Sequence, residues 1–277
     1  MKHITTYKDY ALPPTATAQV RTVIRNLVIR SLSLSMSITK TNNWIRLPYY
    51  HHVFDDEKKN FERQLKYLKN FGEFISMDQV CEMVAAGDAI DGRYFCVSFD
   101  DGYRCCYSNM MDVTAAMQIP VIIYLPTDYT GLDENIEADA LKIHANFPQN
   151  PGLELFLNWQ QCREMLQHQI SFGSHTCSHV NLIQLSEAEI EQELLQSKKK
   201  IEAELNVPCI HFACPWGQVH VNFNPAITKP IAQKLGYKSF ATTHRGKMVS
   251  GSDLFQIKRD HLLAEWSNYQ LNYFFAK

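Results

Sequence analysis

Tyr94-Phe95-Cys96-Val97-Ser98-Phe99-Asp100-Asp101-Gly102 is a run of six strand-like residues leading straight into two carboxylates and a glycine. Side chains alternate faces along a strand, so neighbouring aspartates at its end point in different directions. One is free to hold a metal while the other handles a proton. The glycine permits a sharp exit from the sheet. In isolation an Asp-Asp-Gly triplet is most often an ordinary turn. Its meaning depends on what else the chain brings to the same edge.

Some seventy residues on stands Gly173-Ser174-His175-Thr176-Cys177-Ser178-His179. Two histidines four apart can share one face of a helical turn. Neutral imidazoles are good zinc ligands, and two histidines with a carboxylate leave coordination positions open for chemistry. An isolated His-x-x-x-His is more often structural. This one follows the strand-like run Ile170-Ser171-Phe172-Gly173, as the aspartates follow theirs. Parallel strands carry both motifs to one C-terminal edge, where such folds place their sites. A third strand exit, Phe212-Ala213-Cys214-Pro215-Trp216-Gly217, pairs a rigid turn with backbone N–H groups free to meet an oxyanion.

Between these motifs strands and helices alternate. A strand is expected over Ile45–Val53, ending in His51 and His52, and a helix around Phe61, Leu65 and Leu68. Ser76 and Gln79 form a capping box for a further helix stopped by Gly87. A helix over Asn109–Met117 and a buried strand over Ile119–Leu125 follow. Residues 128–157 read as a long loop or insertion, and Trp159–Gln167 as helical. The clearest helix is Ser186–Leu205, with Ser186 and Glu189 as its capping box and Ile190, Leu194, Ile201 and Leu205 as its buried stripe. Strands over His211–Cys214 and Tyr237–Thr242 complete a series that argues for an α/β fold with a parallel, barrel-like sheet. The expected division is an N-terminal extension, 1–45, with Pro13-Pro14 barring an early helix, and one domain over 46–277.

A chain of 277 residues can bury a substantial core, and 45% hydrophobic against 20% charged residues is a globular balance. A net charge of -2 gives no reason to expect a nucleic-acid partner. The eight cysteines are scattered, with no Cys-x-x-Cys and one vicinal pair, Cys105-Cys106, so free thiols in a reducing compartment are expected. The N-terminus lacks the layout of a secretory signal. Ala18–Thr39 is fairly apolar but interrupted by Arg21, Arg25 and Arg30, so it is not a membrane span. A helix packed on the domain's own surface is the simpler expectation. Peripheral membrane contact through a basic amphipathic helix is the alternative.

In this order the three motifs resemble the polysaccharide deacetylase family, also called the NodB-homology domain or family-four carbohydrate esterases. Ser98-Phe99-Asp100-Asp101-Gly102 is similar to its T/S-F-D-D-G motif, and His175-Thr176-Cys177-Ser178-His179 to its H-S/T-x-x-H motif. Tyr50-His51-His52-Val53, Ile75-Ser76-Met77, Trp159 and Leu182 fit the surroundings, and the resemblance spans roughly Leu47 to Leu262. It implies a distorted (β/α) barrel of the NodB type. Asp101, His175 and His179 would hold a divalent metal, with zinc expected, and Asp100 would be the general base. The reaction implied is hydrolysis of an N-acetyl, less often O-acetyl, group on a sugar of a bacterial surface polysaccharide or its precursor. Pro215 and the Trp216 amide would border the oxyanion. Without a signal sequence, a cytoplasmic setting at the inner face of the membrane is expected.

Two departures stand out. Many members carry Arg-x-Pro-Tyr in the third motif, the arginine pairing the base; here Ala213 and Trp216 occupy those places. This resembles a subgroup with Phe-Ala-Tyr-Pro-aromatic-Gly, whose late arginine matches Arg259 in Ile257-Lys258-Arg259-Asp260-His261-Leu262. A base aspartate needs a cationic neighbour to set its pKa, and Arg259 is the candidate. The late Leu-x-His motif is not clean: His261 is the first candidate for the general acid, His244 the second, with His51 and His52 open. Two readings compete with the deacetylase: a non-catalytic relative that binds a glycan or partner, and an amidohydrolase acting on a non-sugar C–N bond.

Overall fold

The computed structural model describes residues 4–11, 15–132 and 156–277. The expectation for Pro13-Pro14, and most of that for the 128–157 insertion, lies outside them. A single helical turn, α1 (Tyr7–Tyr10), and a long helix, α2 (Ala16–Ser33), precede the first strand. The main sheet has seven strands, all paired in parallel: β2 (Pro48–Tyr50), β5 (Val97–Phe99), β6 (Val121–Leu125), β7 (Ile170–Ser174), β8 (His211–Ala213), β9 (Ser239–Ala241) and β11 (Asp260–His261). Their order is β11-β2-β5-β6-β7-β8-β9. The sheet curls: Ala241 of β9 bridges to Ile257, and four residues later His261 pairs with Tyr49 of β2. One short stretch thus ties the two far edges together. The sheet is a curled parallel half-barrel, as the resemblance implies.

The six-residue strand expected over Tyr94–Phe99 is broken. β4 (Arg93–Phe95) belongs to a second, four-stranded sheet with β1 (Trp44–Arg46), β3 (Glu73–Phe74) and β10 (Lys247–Met248), while β5 enters the main sheet. The expected Ile45–Val53 strand breaks in step at Leu47. Ile45 pairs with Tyr94 below the break and Tyr49 with Ser98 above it. The register therefore survives the crossing, and so does the alternation of faces. Phe95, Val97 and Phe99 pack under the helices with Phe61, Leu65 and Leu68 of α3 (Lys58–Lys69). Cys96 turns the other way, into a second core with Ile45, Leu47, Ile122, Tyr124, Ala213 and Ala241 that fills the barrel interior.

The outer helices follow their sequence signals. α4 (Met77–Ala85) starts on the Ser76–Gln79 capping box and α7 (Glu187–Leu205) on that of Ser186 and Glu189. α5 is Met111–Met117 and α6 Trp159–Met165, the latter opened by an Asn158–Gln161 capping box. α8 (Pro225–Lys234) and α9 (Asn268–Phe275) complete the set. Gly173 in β7 is required by its neighbours: a Cβ there would meet the Tyr124 ring at 2.6 Å and the His211 carbonyl oxygen at 2.8 Å.

Candidate metal centre and active site

β5 leaves the sheet with Asp100 and Asp101 aimed apart. Asp100 continues the inward row of Cys96 and Ser98. Asp101 adopts φ 68° and Gly102 φ 63°, and this left-handed pair swings the second carboxylate toward the exits of β7 and β8. Gly102 also lies where a Cβ would meet Leu125 Cδ2 at 2.6 Å.

His175 leaves β7 with its N–H donating to the Leu125 carbonyl at 2.9 Å. The two histidines do not share a helical turn. The loop between them is irregular, with Thr176 at φ 66° and His179 at φ 54°. Glu193 of α7 holds it: Oε2 accepts from the backbone N–H groups of Cys177 (2.8 Å) and Ser178 (3.0 Å), and Oε1 from the Ser178 hydroxyl (2.9 Å). Glu193 escaped the sequence reading, although an acid flanking the buried Ile190–Leu194 stripe is a usable signal.

The result is a group in which Asp101, His175 and His179 each offer one ligand atom, all within 4.8 Å of one another. Asp101 Oδ1 stands 3.4 Å from His175 Nε2 and 3.2 Å from His179 Nε2. Donors on a common tetrahedral zinc at about 2.0–2.1 Å lie about 3.3–3.4 Å apart. His175 Nδ1 lies 2.7 Å from the Ala213 carbonyl, which only accepts, so Nδ1 carries a proton and Nε2 is the nitrogen that faces Asp101. Asp101 Oδ1 is buried and makes no hydrogen bond among the described residues. A buried carboxylate oxygen without a hydrogen bond, facing two imidazole nitrogens at these distances, suits a cation between them, so the residues fit a divalent metal. Burial would raise Asp101, but His179, His175 and His51 hold it well below the usual carboxylate range. Burial pulls His175 down, yet the two aspartates outweigh it and the net shift is upward.

Asp100 has a separate partner. Arg259, fully buried just before β11, forks onto it with Nη1–Oδ1 at 2.6 Å and Nη2–Oδ2 at 2.8 Å. Its Nε donates to the Thr242 carbonyl at 2.9 Å, and its guanidinium lies over Tyr49, 4.3 Å from the ring centroid. Against the penalty of burial, Arg259 first and then His175 and His51 keep Asp100 ionised below its ordinary value. Ala213 belongs to the same interior core, so the guanidinium enters from the closing strand while β8 contributes only a methyl group.

Pro215 and Trp216 form the third wall. Trp216 sits at φ 56°, its indole half-exposed and 4.7 Å from the His179 ring. The Thr243 hydroxyl donates to the Trp216 carbonyl at 2.8 Å and fixes the turn, while the Trp216 N–H meets no acceptor among the described residues. His51 Nε2 lies 4.0 Å from Asp101 Oδ2, and the His261 ring meets His51 edge-on with ring centroids 5.1 Å apart. His261 is pushed down to about 4 by burial, His51 and Arg245. The His244 side chain is exposed, and His52 stacks between Phe54 and Tyr103. The ends of the 128–157 insertion root at this edge: the N–H of Asp128 donates to the Cys177 carbonyl and that of Leu157 to the Gly102 carbonyl.

Comparison with known proteins finds the same fold. Solved structures with the same fold include the Streptococcus pyogenes deacetylase PplD in complex with acetate, at TM-score 0.64 and 23% identity over 83% of this chain and 96% of that one. IcaB from Ammonifex degensii matches at TM-score 0.69 and 18% identity, covering 85% and 98% respectively. In sequence, a putative polysaccharide deacetylase of Bacillus subtilis, YxkH, is 23% identical over 228 residues, 79% of this chain and 72% of the relative. The family model for polysaccharide deacetylases matches residues 88–240, more than half of the chain, from just before the aspartate pair to past the Pro215–Trp216 turn. The chain belongs to the polysaccharide deacetylase family.

Proposed function

We propose that the protein is a metal-dependent hydrolase that removes an N-acetyl, or less often an O-acetyl, group from a sugar of a bacterial surface polysaccharide or its precursor. The observation carrying this reading is the division of labour at the β5 exit. Asp101 meets two histidine nitrogens, while Asp100, one residue away, is held ionised by Arg259. A site that only bound glycan would gain nothing from an ionised base beside a metal triad. A divalent ion, zinc in this reading, held by Asp101, His175 and His179 would polarise the acetyl carbonyl and acidify the attacking water.

Asp100 accepts that water's proton, and Arg259 holds the carboxylate in the orientation and charge state for doing so. Pro215 turns the chain so that the Trp216 N–H donates to the oxyanion. His261 is the candidate proton donor for the departing amine; pushed down to about 4 it is neutral in the free protein, so it can donate only a proton taken up during the reaction, with His51 beside it. The Trp216 indole beside His179 offers the sugar ring an apolar face. The Phe-Ala-x-Pro-aromatic-Gly third motif with a late arginine supports a role in the subgroup that acts on surface polysaccharides, with a lipid- or nucleotide-linked precursor at the cytoplasmic face as the proposed substrate.

The test is acetate release from a panel of N-acetylated oligosaccharides, with metal content measured on the same preparation. Bound metal together with acetate release that Asp100→Asn lowers by orders of magnitude supports the reading. An Asp100→Asn variant working at the wild-type rate would sink the mechanism.

A further inference from the structure

α2 is an amphipathic helix with its apolar face turned away from the protein. Only a narrow inner strip packs: Ile29 and Ser33 are buried, and Asn272 of α9 donates from Nδ2 to the carbonyls of Ser33 (2.8 Å) and Met36 (2.9 Å). The opposite side presents Val20, Val23, Ile24, Leu27, Val28 and Leu32, each 44% to 61% exposed. Stepping 100° per residue, Val20, Val23, Ile24, Leu27 and Val28 fall in one outward arc with Ser31 and Thr17. Arg21 and Arg25 border it on one side and Arg30 on the other. No Asp or Glu occurs anywhere between Asp9 and Asp55.

From this pattern we infer that α2 is a docking helix for an anionic lipid surface, lying flat with its aliphatic arc among the acyl chains and its arginines at the headgroups. The charge selects this occupant. The helix itself carries arginines on both flanks and no acid, and although Glu265 lies near Arg25, two copies of this face would bring like charges together. A protein groove is normally gripped by aromatic anchors, and this arc contains none. An arc of plain aliphatics rimmed by arginines whose stems bury and whose heads stay wet is what a bilayer interface takes. No helix among the described residues is long and apolar enough to cross a membrane.

The helix is tied to the site's rim. The N–H of Asp55 donates to the Thr5 carbonyl, and the Tyr10 ring lies 5.0 Å from that of His52, next to His51. Thr15, the N-cap of α2, follows Tyr10 by five positions, so the helix begins within about 18 Å of that rim. Docking would hold the mouth of the site close to the lipid.

The experiment is co-sedimentation of the full chain with vesicles of phosphatidylcholine containing about one-third phosphatidylglycerol, and with phosphatidylcholine alone. Binding is expected to the anionic vesicles, and high salt should reverse it. Val23→Asp with Leu27→Asp should abolish it without moving the melting temperature, since both side chains are exposed. Arg21→Gln with Arg30→Gln should weaken it about thirtyfold, at about 1 kcal/mol for each arginine. Equal binding to neutral vesicles, or no effect of the aspartates, would overturn the inference. So would a dimer in lipid-free solution that the aspartates dissociate, or a protein partner captured through this face by a chain that ignores vesicles.

Discussion

Replacing Arg259 with alanine should separate the base from the metal site. The Arg259–Asp100 fork is buried at both ends, and removing one partner of such a pair costs about 3–5 kcal/mol, because the remaining charge is stranded. Against a typical total of about 5–15 kcal/mol the protein stays folded. At about 2–4 °C per kcal/mol, melting should fall on the order of 10 °C. Without the guanidinium, burial dominates and the Asp100 carboxyl rises, so the acid limb of the activity profile should move to higher pH and turnover at neutral pH should drop. Asp100 has a folded pKa below its ordinary value. It therefore adds stability in the wild type above the unfolded carboxylate range, and loses it as pH falls through the folded value; the variant should lack that acid loss. Metal content should not change, since Arg259 touches none of the three ligands. Arg259 also fills space over Tyr49, so the single variant mixes charge with cavity. Adding Asp100→Asn isolates the charge part: the double variant should be more stable than Arg259→Ala alone. A double variant that is weaker still, or metal lost in proportion to turnover, would refute the reasoning.

Three further outcomes follow from particular residues. Zinc at about one hundred times its dissociation constant should raise stability by about 2.7 kcal/mol, and His179→Ala should abolish that increment in calorimetry. Glu57 is raised from 4.5 to about 7, chiefly by burial, although it accepts from the Phe54 N–H. The folded state therefore binds the extra proton, and stability should fall as pH rises from about 4.5 through about 7, by up to about 3 kcal/mol. Glu57→Gln should flatten that slope in denaturant titrations across this range; an unchanged slope would exclude Glu57 as its source. Gly173→Ala should destabilise by about 1–3 kcal/mol through its clash with the Tyr124 ring and the His211 carbonyl, with the loss visible in the denaturation midpoint.

Much of this site was legible because its parts are local. Asp100, Asp101, His175 and His179 stand at strand exits, and parallel strands bring their exits to one edge. The capping boxes at Ser76 and Ser186 set helix starts through residues three apart. Arg259 was reached only through the family resemblance, since nothing in its own neighbourhood marks its partner. What escaped depends on distant pairing. The break at Cys96 follows from two strand pairs switching sheets together, and no run of six apolar residues announces that. The spacing of His175 and His179 suggested a helical turn. The loop instead takes its shape from Glu193, fourteen residues further on, and from left-handed backbone at Thr176 and His179. α2 was read by its interrupted hydrophobicity as a helix lying on its own domain. Only its exposed side distinguishes a helix that uses one face from one that keeps a second in reserve.

The late position of Arg259 also orders events in time. Asp100 and its guanidinium are 159 residues apart, and the arginine lies in the stretch that ties the sheet's two edges together. A chain emerging from the ribosome owns both aspartates and both histidines well before it owns the residue that sets the base. During synthesis such a chain holds the candidate metal ligands but lacks the guanidinium that keeps Asp100 ionised. Closing the sheet and delivering that guanidinium to Asp100 are one step, so under the proposed function a chain stopped before Arg259 is expected to be inactive.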